Sequence, residues 1–135
     1  MEPLFRRIDS IQIAVPDLEA GLAFYRDKLG HQLNWRSATA AGLRLPEGSE
    51  ELVLQSERPG PEIDWLVDSA EAAAARFVAA GGRIVAGPFA IAIGRCVVVE
   101  DPWGTQLVLL DMTTGPLRTD AAGRVIGAGP AEDAL

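Results

Sequence analysis

Histidine and cysteine are almost absent from this sequence, which has one of each, His31 and Cys96, among its 135 residues. A lone cysteine excludes a disulfide within the chain, and chains without disulfides are typical of a reducing compartment. The opening segment, MEPLFRRIDS, carries two arginines with no apolar stretch behind them, so we do not expect it to act as a signal peptide. Together these features predict a cytoplasmic protein.

Long apolar runs and an excess of positive charge are missing as well. Apolar runs such as Cys96–Val99 and Leu107–Leu110 are far too short to cross a bilayer, and 12 basic residues against 19 acidic ones give a net charge of −7. Nucleic-acid binding needs a basic surface, so we expect neither a nucleic acid nor a membrane as a partner. The acidic balance either keeps the protein dissolved or favours a cationic small molecule.

Two segments of the chain repeat each other. The stretch from Ser10 to Gly30 aligns with that from Glu62 to Gly82 at a constant offset of 52 residues (62 − 10). In each segment an alternating apolar pattern, typical of a strand, gives way to the 3.6-residue period of a helix. Asp17 and Ser69 are good N-caps, and each helix is predicted to end at glycine. Three more strands are predicted after each helix, near residues 32–36, 41–45 and 51–55 and near 83–86, 95–100 and 105–111.

This pattern predicts an α+β fold built from two βαβββ modules within a single domain, residues 1–115. Module one covers residues 8–56 and module two covers residues 61–112. The stretch 116–135 is rich in Gly, Ala and Pro and shows no periodicity, so it is predicted to be a C-terminal tail that lies on the surface or is frayed.

Alternation along the first strand of each module divides its side chains between two faces. The face expected to pack on the module's own helix carries Ile11, Ile13 and Val15 in module one and Ile63, Trp65 and Val67 in module two. The opposite face is polar and apolar mixed, with hydrogen-bonding groups at Ser10, Gln12, Glu62, Asp64 and Gln106. Such a face is a candidate ligand pocket, although one face of an antiparallel sheet is often simply solvated.

Glu62 and Asp64 are two residues apart on one strand, so their carboxylates are expected on the same face, roughly 6–7 Å apart. In a cleft they could bind a ligand ammonium or guanidinium group, or act as an acid–base pair. At a solvated strand start they would be two ordinary surface charges. The sequence leaves these alternatives open.

Two arginines and one tryptophan complete the candidate ligand contacts. Arg44 and Arg95 occupy matching places on the third strand of their modules. One of them could enter the cleft and bind a carboxylate or pair with Glu62, or both could lie on the surface. Trp103, in the turn Asp101–Gly104, could cover the mouth of a pocket and stack on a ligand. By contrast, alternation places Trp65 in the core.

Three stretches together resemble the vicinal oxygen chelate superfamily, which includes glyoxalase I, extradiol dioxygenases and bleomycin-resistance proteins. They are IDSIQIAVPDLEAGLAFYRDKLG, VDSAEAAAARFVAAGG and GRCVVVEDPWGTQLVLLD. The resemblance covers roughly Ile8 to Met112. It implies paired βαβββ modules that form an eight-stranded curved sheet with a cleft, usually within a homodimer.

The resemblance also implies a divalent metal held by His, Gln or Glu from the first and last strands of each module. Here the sequence departs from the pattern, because the four corresponding positions are Ser10, Val53, Glu62 and Val108. Valine offers no donor atom, and a serine hydroxyl is a poor ligand. We therefore expect no metal and no cofactor, and the residues identify no catalytic group.

The leading hypothesis is a metal-free small-molecule binding protein of this superfamily that sequesters its ligand, with cationic or amine-bearing compounds slightly favoured. The alternative is an enzyme, a lyase, isomerase or dioxygenase, that uses Glu62 or Asp64 or a non-standard metal site. A third possibility is an accessory domain that stabilises a larger assembly.

Overall fold

The computed structural model describes residues 1–130, and the chain falls into two compact units. The first unit comprises Asp9–Ile63 and Arg118–Ile126; the second comprises Met1–Ile8, Asp64–Leu117 and, of the described residues, 127–130. Each unit is built around one of the two predicted modules. Residues 131–135 of the predicted tail lie outside the described part of the chain.

The first unit is a four-stranded sheet with one short helical segment. Its elements are β1 (Arg7–Ala14), α1 (Leu18–Leu22), a π-helical continuation (Ala23–Lys28), β2 (Leu33–Arg36), β3 (Ala40–Arg44) and β4 (Glu51–Gln55). The strand order is β2-β3-β4-β1, with β1 parallel to β4 and the other pairs antiparallel. Asp17 caps α1 as predicted, since its Oδ1 accepts a hydrogen bond of 2.9 Å from Ala20 N.

The core of the first unit lies between its sheet and its helix. Its buried members are Leu18, Leu22, Ala41, Leu43 and Leu54, and Ile13 and Val15 of the predicted helix-facing set pack against them. The helical segment ends at Lys28 and is followed by Gly30, whose φ of 86° lies in the left-handed region that glycine tolerates. The face assignment made from alternation is therefore confirmed for Ile13 and Val15.

The second unit repeats this arrangement with a longer helix. Its elements are β5 (Glu62–Leu66), α2 (Ala70–Ala79), β6 (Arg83–Ile91), β7 (Gly94–Glu100) and β8 (Gln106–Leu110). The first two residues of β5, Glu62 and Ile63, belong to the first unit. The order is β5-β8-β7-β6, again with the first and last strands of the module parallel. Ser69 caps α2 as predicted, with Oγ 3.2 Å from Ala72 N. In residues 1–130 no helix is long and apolar enough to span a membrane.

The core of the second unit confirms the expected place of Trp65. Its buried members are Val67, Ala70, Ala73, Ala74, Val97, Val99 and Leu109, and Trp65 packs against them. The Trp65 ring stacks on Phe5 of the N-terminal segment with their centroids 4.9 Å apart. Ile63, predicted on the same face, is 43% exposed because it lies at the start of β5.

Two segments are more regular than their sequence suggests. The strand predicted near residues 83–86 extends to Ile91 as β6, because pairing with β7 continues past the Gly87-Pro88 step through register shifts. Within the predicted tail, β9 (Leu117–Thr119) and β10 (Val125–Ala128) form a two-stranded sheet. Their turn is fixed by long-range contacts, since Arg36 N donates to the Gly123 carbonyl oxygen at 2.8 Å.

A buried carboxylate, Asp111, joins three segments of the second unit. Its Oδ2 accepts from the backbone N of Ala70 at 2.7 Å, and its Oδ1 accepts from Arg95 N at 2.9 Å and from the Thr113 hydroxyl at 2.8 Å. Gly94 makes the approach possible, because a Cβ at that position would lie 2.2 Å from Asp111 Oδ1. Asp111 thus fixes the start of α2 to the start of β7 and to the segment that follows the end of β8.

We predict that Asp111→Ala destabilises the protein by roughly 3 kcal/mol, because it leaves buried N–H groups without an acceptor. Asp120→Ala is the control: Asp120 also accepts from two backbone N–H groups, but in the exposed turn between β9 and β10. Urea unfolding of both variants measures the difference. Equal losses would show that the buried carboxylate has no special role.

The contribution of Asp111 should depend on pH. Burial raises the pKa of Asp111, but the hydrogen bonds from Ala70, Arg95 and Thr113 outweigh it and leave the pKa below its ordinary value. A depressed folded-state pKa stabilises the fold above the unfolded-state value, about 3.9, and this stabilisation is lost as the pH falls through the folded value. The stability gap between wild type and Asp111→Asn should therefore be constant above about pH 5 and shrink below about pH 4. A gap that grows on acidification would contradict this account.

Candidate functional site

Strand register defines the polar face of the first unit. Parallel pairing of β1 with β4 places Ser10 beside Glu51 and Gln12 beside Val53. Antiparallel pairing of β3 with β4 adds Arg44 beside Glu51. This face, on the side of the sheet away from the core, is the candidate functional site. Of the residues predicted from sequence, it carries Ser10, Gln12 and Arg44.

An arginine that was not among the predicted ligand contacts joins two of them. Arg58, in the loop between β4 and β5, donates from one terminal nitrogen to Gln12 Oε1 at 2.5 Å. Its Nε is 3.6 Å from Glu62 Oε1. Gln12 and Glu62, both predicted ligand contacts, are therefore brought together by a third residue. The spacing of four between Arg58 and Glu62 is a weak sequence signal for such a pair.

The side chain of Gln55 fixes the backbone that carries Arg58. Its Oε1 accepts from the backbone N of Glu57 and of Arg58, each at 2.8 Å, and its Nε2 donates to the Arg58 carbonyl oxygen at 2.7 Å. Gln55 is 3% exposed. Its amide is therefore used to hold the loop.

A second carboxylate on this face is held by strand β2. Glu51 accepts from Asn34 Nδ2 at 2.7 Å through one oxygen and from Trp35 Nε1 at 3.0 Å through the other. The Trp35 ring lies against Gly42, where a Cβ would be 2.1 Å from Trp35 Nε1. Trp35, which the sequence left unassigned, is thus a positioned part of the polar face.

In the second unit the corresponding face is mostly apolar. Asp64 lies beside Val108, and Val108 lies beside Val98 on β7. Asp64 is 4% exposed, whereas Gln106, at the start of β8, is exposed. Of these two predicted ligand contacts, Gln106 is therefore accessible to a ligand and Asp64 is buried.

Arg95 and Trp103 do not lie on these faces. Arg95 lies two residues before Val97 and four before Val99, so it shares the helix side of the sheet with these core residues. There its Nε is 3.2 Å from Glu71 of α2. Trp103 is 85% exposed in its turn, which is held by Asp101 accepting from the backbone N of Trp103 at 2.9 Å. Its spacing of two residues from Val97 is the sequence signal that places Arg95 on this side of the sheet.

The residues at the four positions that the resemblance assigns to a metal do not fit one. Val53 and Val108 present hydrocarbon, and Glu62 is paired with Arg58. Across residues 1–130 there is no group of three His, Cys, Asp or Glu side chains arranged to hold a metal ion. A divalent ion needs about three protein donors, so this donor set supports no chemistry through a metal.

A cavity of about 170 Å³ lies elsewhere, within the second unit, between the N-terminal segment and α2. Its lining includes Arg6, Asp68, Ser69 and Arg76. It is smaller than the roughly 300–1,000 Å³ typical of ligand sites, and none of the ligand contacts predicted from the sequence lines it. The polar face of the first unit therefore remains the stronger candidate.

Residues 7–109 match the family model described as Glyoxalase/Bleomycin resistance protein/Dioxygenase superfamily. No curated protein matches the sequence. The predicted fold class, α+β with two βαβββ modules and eight strands, is confirmed by this match together with the strand order.

Solved structures of similar fold include several enzymes. Methylmalonyl-CoA epimerase from Mycobacterium tuberculosis has a TM-score of 0.69 at 20% identity, covering 82% of this chain and 91% of that one. A variant of the epimerase from Streptomyces coelicolor, in complex with 2-nitronate-propionyl-CoA, has a TM-score of 0.67 at 22% identity, covering 81% and 99%. Homoprotocatechuate 2,3-dioxygenase from Brevibacterium fuscum has a TM-score of 0.61 at 26% identity, covering 82% of this chain but 38% of that one. The likeness to the epimerases, at such identities, shows the fold.

The contact between Trp35 and Gly42 is directly testable. Gly42→Ala should displace the indole, break its hydrogen bond to Glu51 and cost roughly 1–3 kcal/mol, as overpacking does. The measurements are urea unfolding and the NMR shift of the Trp35 indole N–H. Gly48→Ala is the control, because its new methyl group would meet the flexible end of Glu50 in an exposed loop. Similar losses in the two variants would contradict the packing described.

Proposed function

The chain belongs to the glyoxalase/bleomycin resistance protein/dioxygenase superfamily, and on that premise we propose that it binds a small organic molecule without a metal ion. The ligand binds to the polar face of the first unit through hydrogen bonds, charge and shape. In solution the chain acts as a cytoplasmic homodimer, as the sequence and the resemblance lead us to expect. This is a sequestering or sensing role.

One observation supports the proposal above the others: Gln12, Arg58 and Glu62 form a connected polar group where a hydrocarbon replaces the expected metal donor. Gln12 lies directly beside Val53, and Arg58 links Gln12 to Glu62. Polar groups in ligand sites fix the orientation of the ligand. A group prearranged in this way can do so without an ion.

The amine-bearing ligand favoured by the net charge is less well supported by these contacts. Glu62 has a cation 3.6 Å away in Arg58, so its charge is already compensated. A ligand ammonium would have to displace Arg58 to reach it. The charge of the whole chain therefore does not decide the charge of the ligand.

The second candidate function is a metal-free acid–base enzyme, and Glu51 favours it. Both carboxylate oxygens of Glu51 are held, by Asn34 and Trp35, while the residue stays half-buried beside Ser10. A general base must be positioned within reach of the proton that it removes. In this case Glu51→Gln would abolish turnover while ligand binding persists.

We predict that a small organic ligand found by thermal-shift screening will bind equally well with and without EDTA. Gln12→Leu should weaken the binding of this ligand at least tenfold, because the ligand group that bonds to Gln12 would be left without a hydrogen-bond partner. Gln32→Leu is the matched control, since Gln32 is an exposed residue of the same unit that lies outside the site. Isothermal titration calorimetry measures the affinity of the ligand for the wild type and for each of the two variants.

Two results would contradict the proposal. In the first, EDTA abolishes binding and a divalent ion restores it, which would indicate a metal-dependent site. In the second, Gln12→Leu and Gln32→Leu bind alike, which would place the ligand away from this face.

A further inference from the structure

We propose that Arg58 is the anion-binding residue of this face and that the ligand carries a carboxylate or another oxyanion. The inference rests on the proposed function and adds the chemical class of the ligand. It depends on how the loop from Ser56 to Gly60 is fixed and on where the guanidinium of Arg58 is held.

The backbone of Arg58 is fixed by a buried side chain. Gln55 is 3% exposed and makes three hydrogen bonds of 2.7–2.8 Å, two of them to the backbone of Arg58 itself. A buried amide is costly unless its polar atoms are paired. The polar atoms of the Gln55 amide are paired with the loop backbone, so strand β4, which carries Gln55, determines the position of the Arg58 backbone.

The two ends of the loop are fixed as well. Ser56 N donates to the Thr39 carbonyl oxygen at 3.1 Å, and the Thr39 hydroxyl donates to the carboxylate of Glu57. At the other end Gly60 lies close to β1, where a Cβ would be 3.1 Å from Ala14 N. The loop is therefore a rigid support for its arginine.

The guanidinium of Arg58 is oriented but still accessible. Gln12 Oε1 accepts from one terminal nitrogen at 2.5 Å, and Glu62 lies 3.6 Å from Nε. The Arg58 side chain is 50% exposed. Since a guanidinium has five N–H donors, several remain directed to solvent.

A half-exposed ion pair of this length adds little to stability, so the stability of the Arg58–Glu62 pair does not account for the orientation of the guanidinium. Oriented arginines are well suited to carboxylates and phosphates, because two parallel N–H donors match two oxygens. At 3.6 Å from Nε, Glu62 forms an ion pair with Arg58 but no hydrogen bond, so the guanidinium keeps N–H donors that an oxyanion can use besides the one bound to Gln12. These points together assign the ligand an anionic group.

The test is an NMR titration of the full-length, ¹⁵N-labelled protein with four probes that each contain one phenyl ring. Benzoate and phenyl phosphate are the anionic probes, benzamide is neutral and benzylamine is cationic. We expect an anionic probe to shift the Arg58 Nε–H and Gln12 side-chain amide signals, with an affinity at least tenfold above those of benzamide and benzylamine. Comparing benzoate with phenyl phosphate identifies the preferred oxyanion.

Variants locate the effect. Arg58→Gln should lower the affinity for the preferred anion at least tenfold, and Arg58→Lys should retain part of it. Gln55→Met, which removes the amide that positions the loop, should lower the affinity and broaden the Arg58 Nε–H signal. Arg76→Gln, at a partly exposed arginine of α2 in the second unit, should change nothing.

Three outcomes would overturn the inference: no shift with either anion, equal affinity in Arg58→Gln, or preferential binding of benzylamine at Gln12. The last outcome, with a gain in affinity in Arg58→Gln, would show that Arg58 occupies an amine site. The proposed function would then survive, because it fails only if ligands bind elsewhere or through a metal.

Discussion

Parallel pairing between the first and last strands of each module is the constraint on which the rest of the structure depends. In a parallel pair, neighbouring residues point to the same face, so pairing β1 with β4 places Gln12 beside Val53. Pairing β5 with β8 likewise places Asp64 beside Val108. The same register directs the alternate residues to the helix side, where Leu54 and Leu109 are fully buried.

This register places Val53 and Val108, which have no donor atom, at two of the four positions that the resemblance associates with a metal. Gln12 and Asp64 therefore each lie beside a hydrocarbon side chain. The face is then polar through Gln12, Glu51 and the arginine supplied by the loop after β4. Its organisation comes from hydrogen bonds among protein groups, and Gln55 is central because a buried amide must have its partners.

The sequence predicted those features that depend on local chemistry. Asp17 and Ser69 cap their helices because a short polar side chain can reach the free N–H groups of the first turn. Trp65 is in the core because alternation follows from strand geometry. Strand β4 was predicted at its observed bounds, Glu51–Gln55.

Features that depend on long-range contacts were missed. Arg58 was not predicted as a ligand contact, because its place in the site depends on Gln12, 46 residues earlier in the chain. The hairpin of β9 and β10 is held partly by Arg36, which no local pattern near Gly123 reveals. Arg95 was predicted as a ligand contact because it matches Arg44 in the other module. Instead it forms an ion pair with Glu71 on the neighbouring helix.

The central claim is that hydrogen bonds and charge, and not a metal ion, hold the ligand on the polar face. The most direct test is the metal content of the protein, measured by mass spectrometry after purification without chelators and equilibration with zinc, manganese and iron(II). The account predicts far less than one ion per chain. A stoichiometric ion that is lost in Glu62→Gln would contradict it.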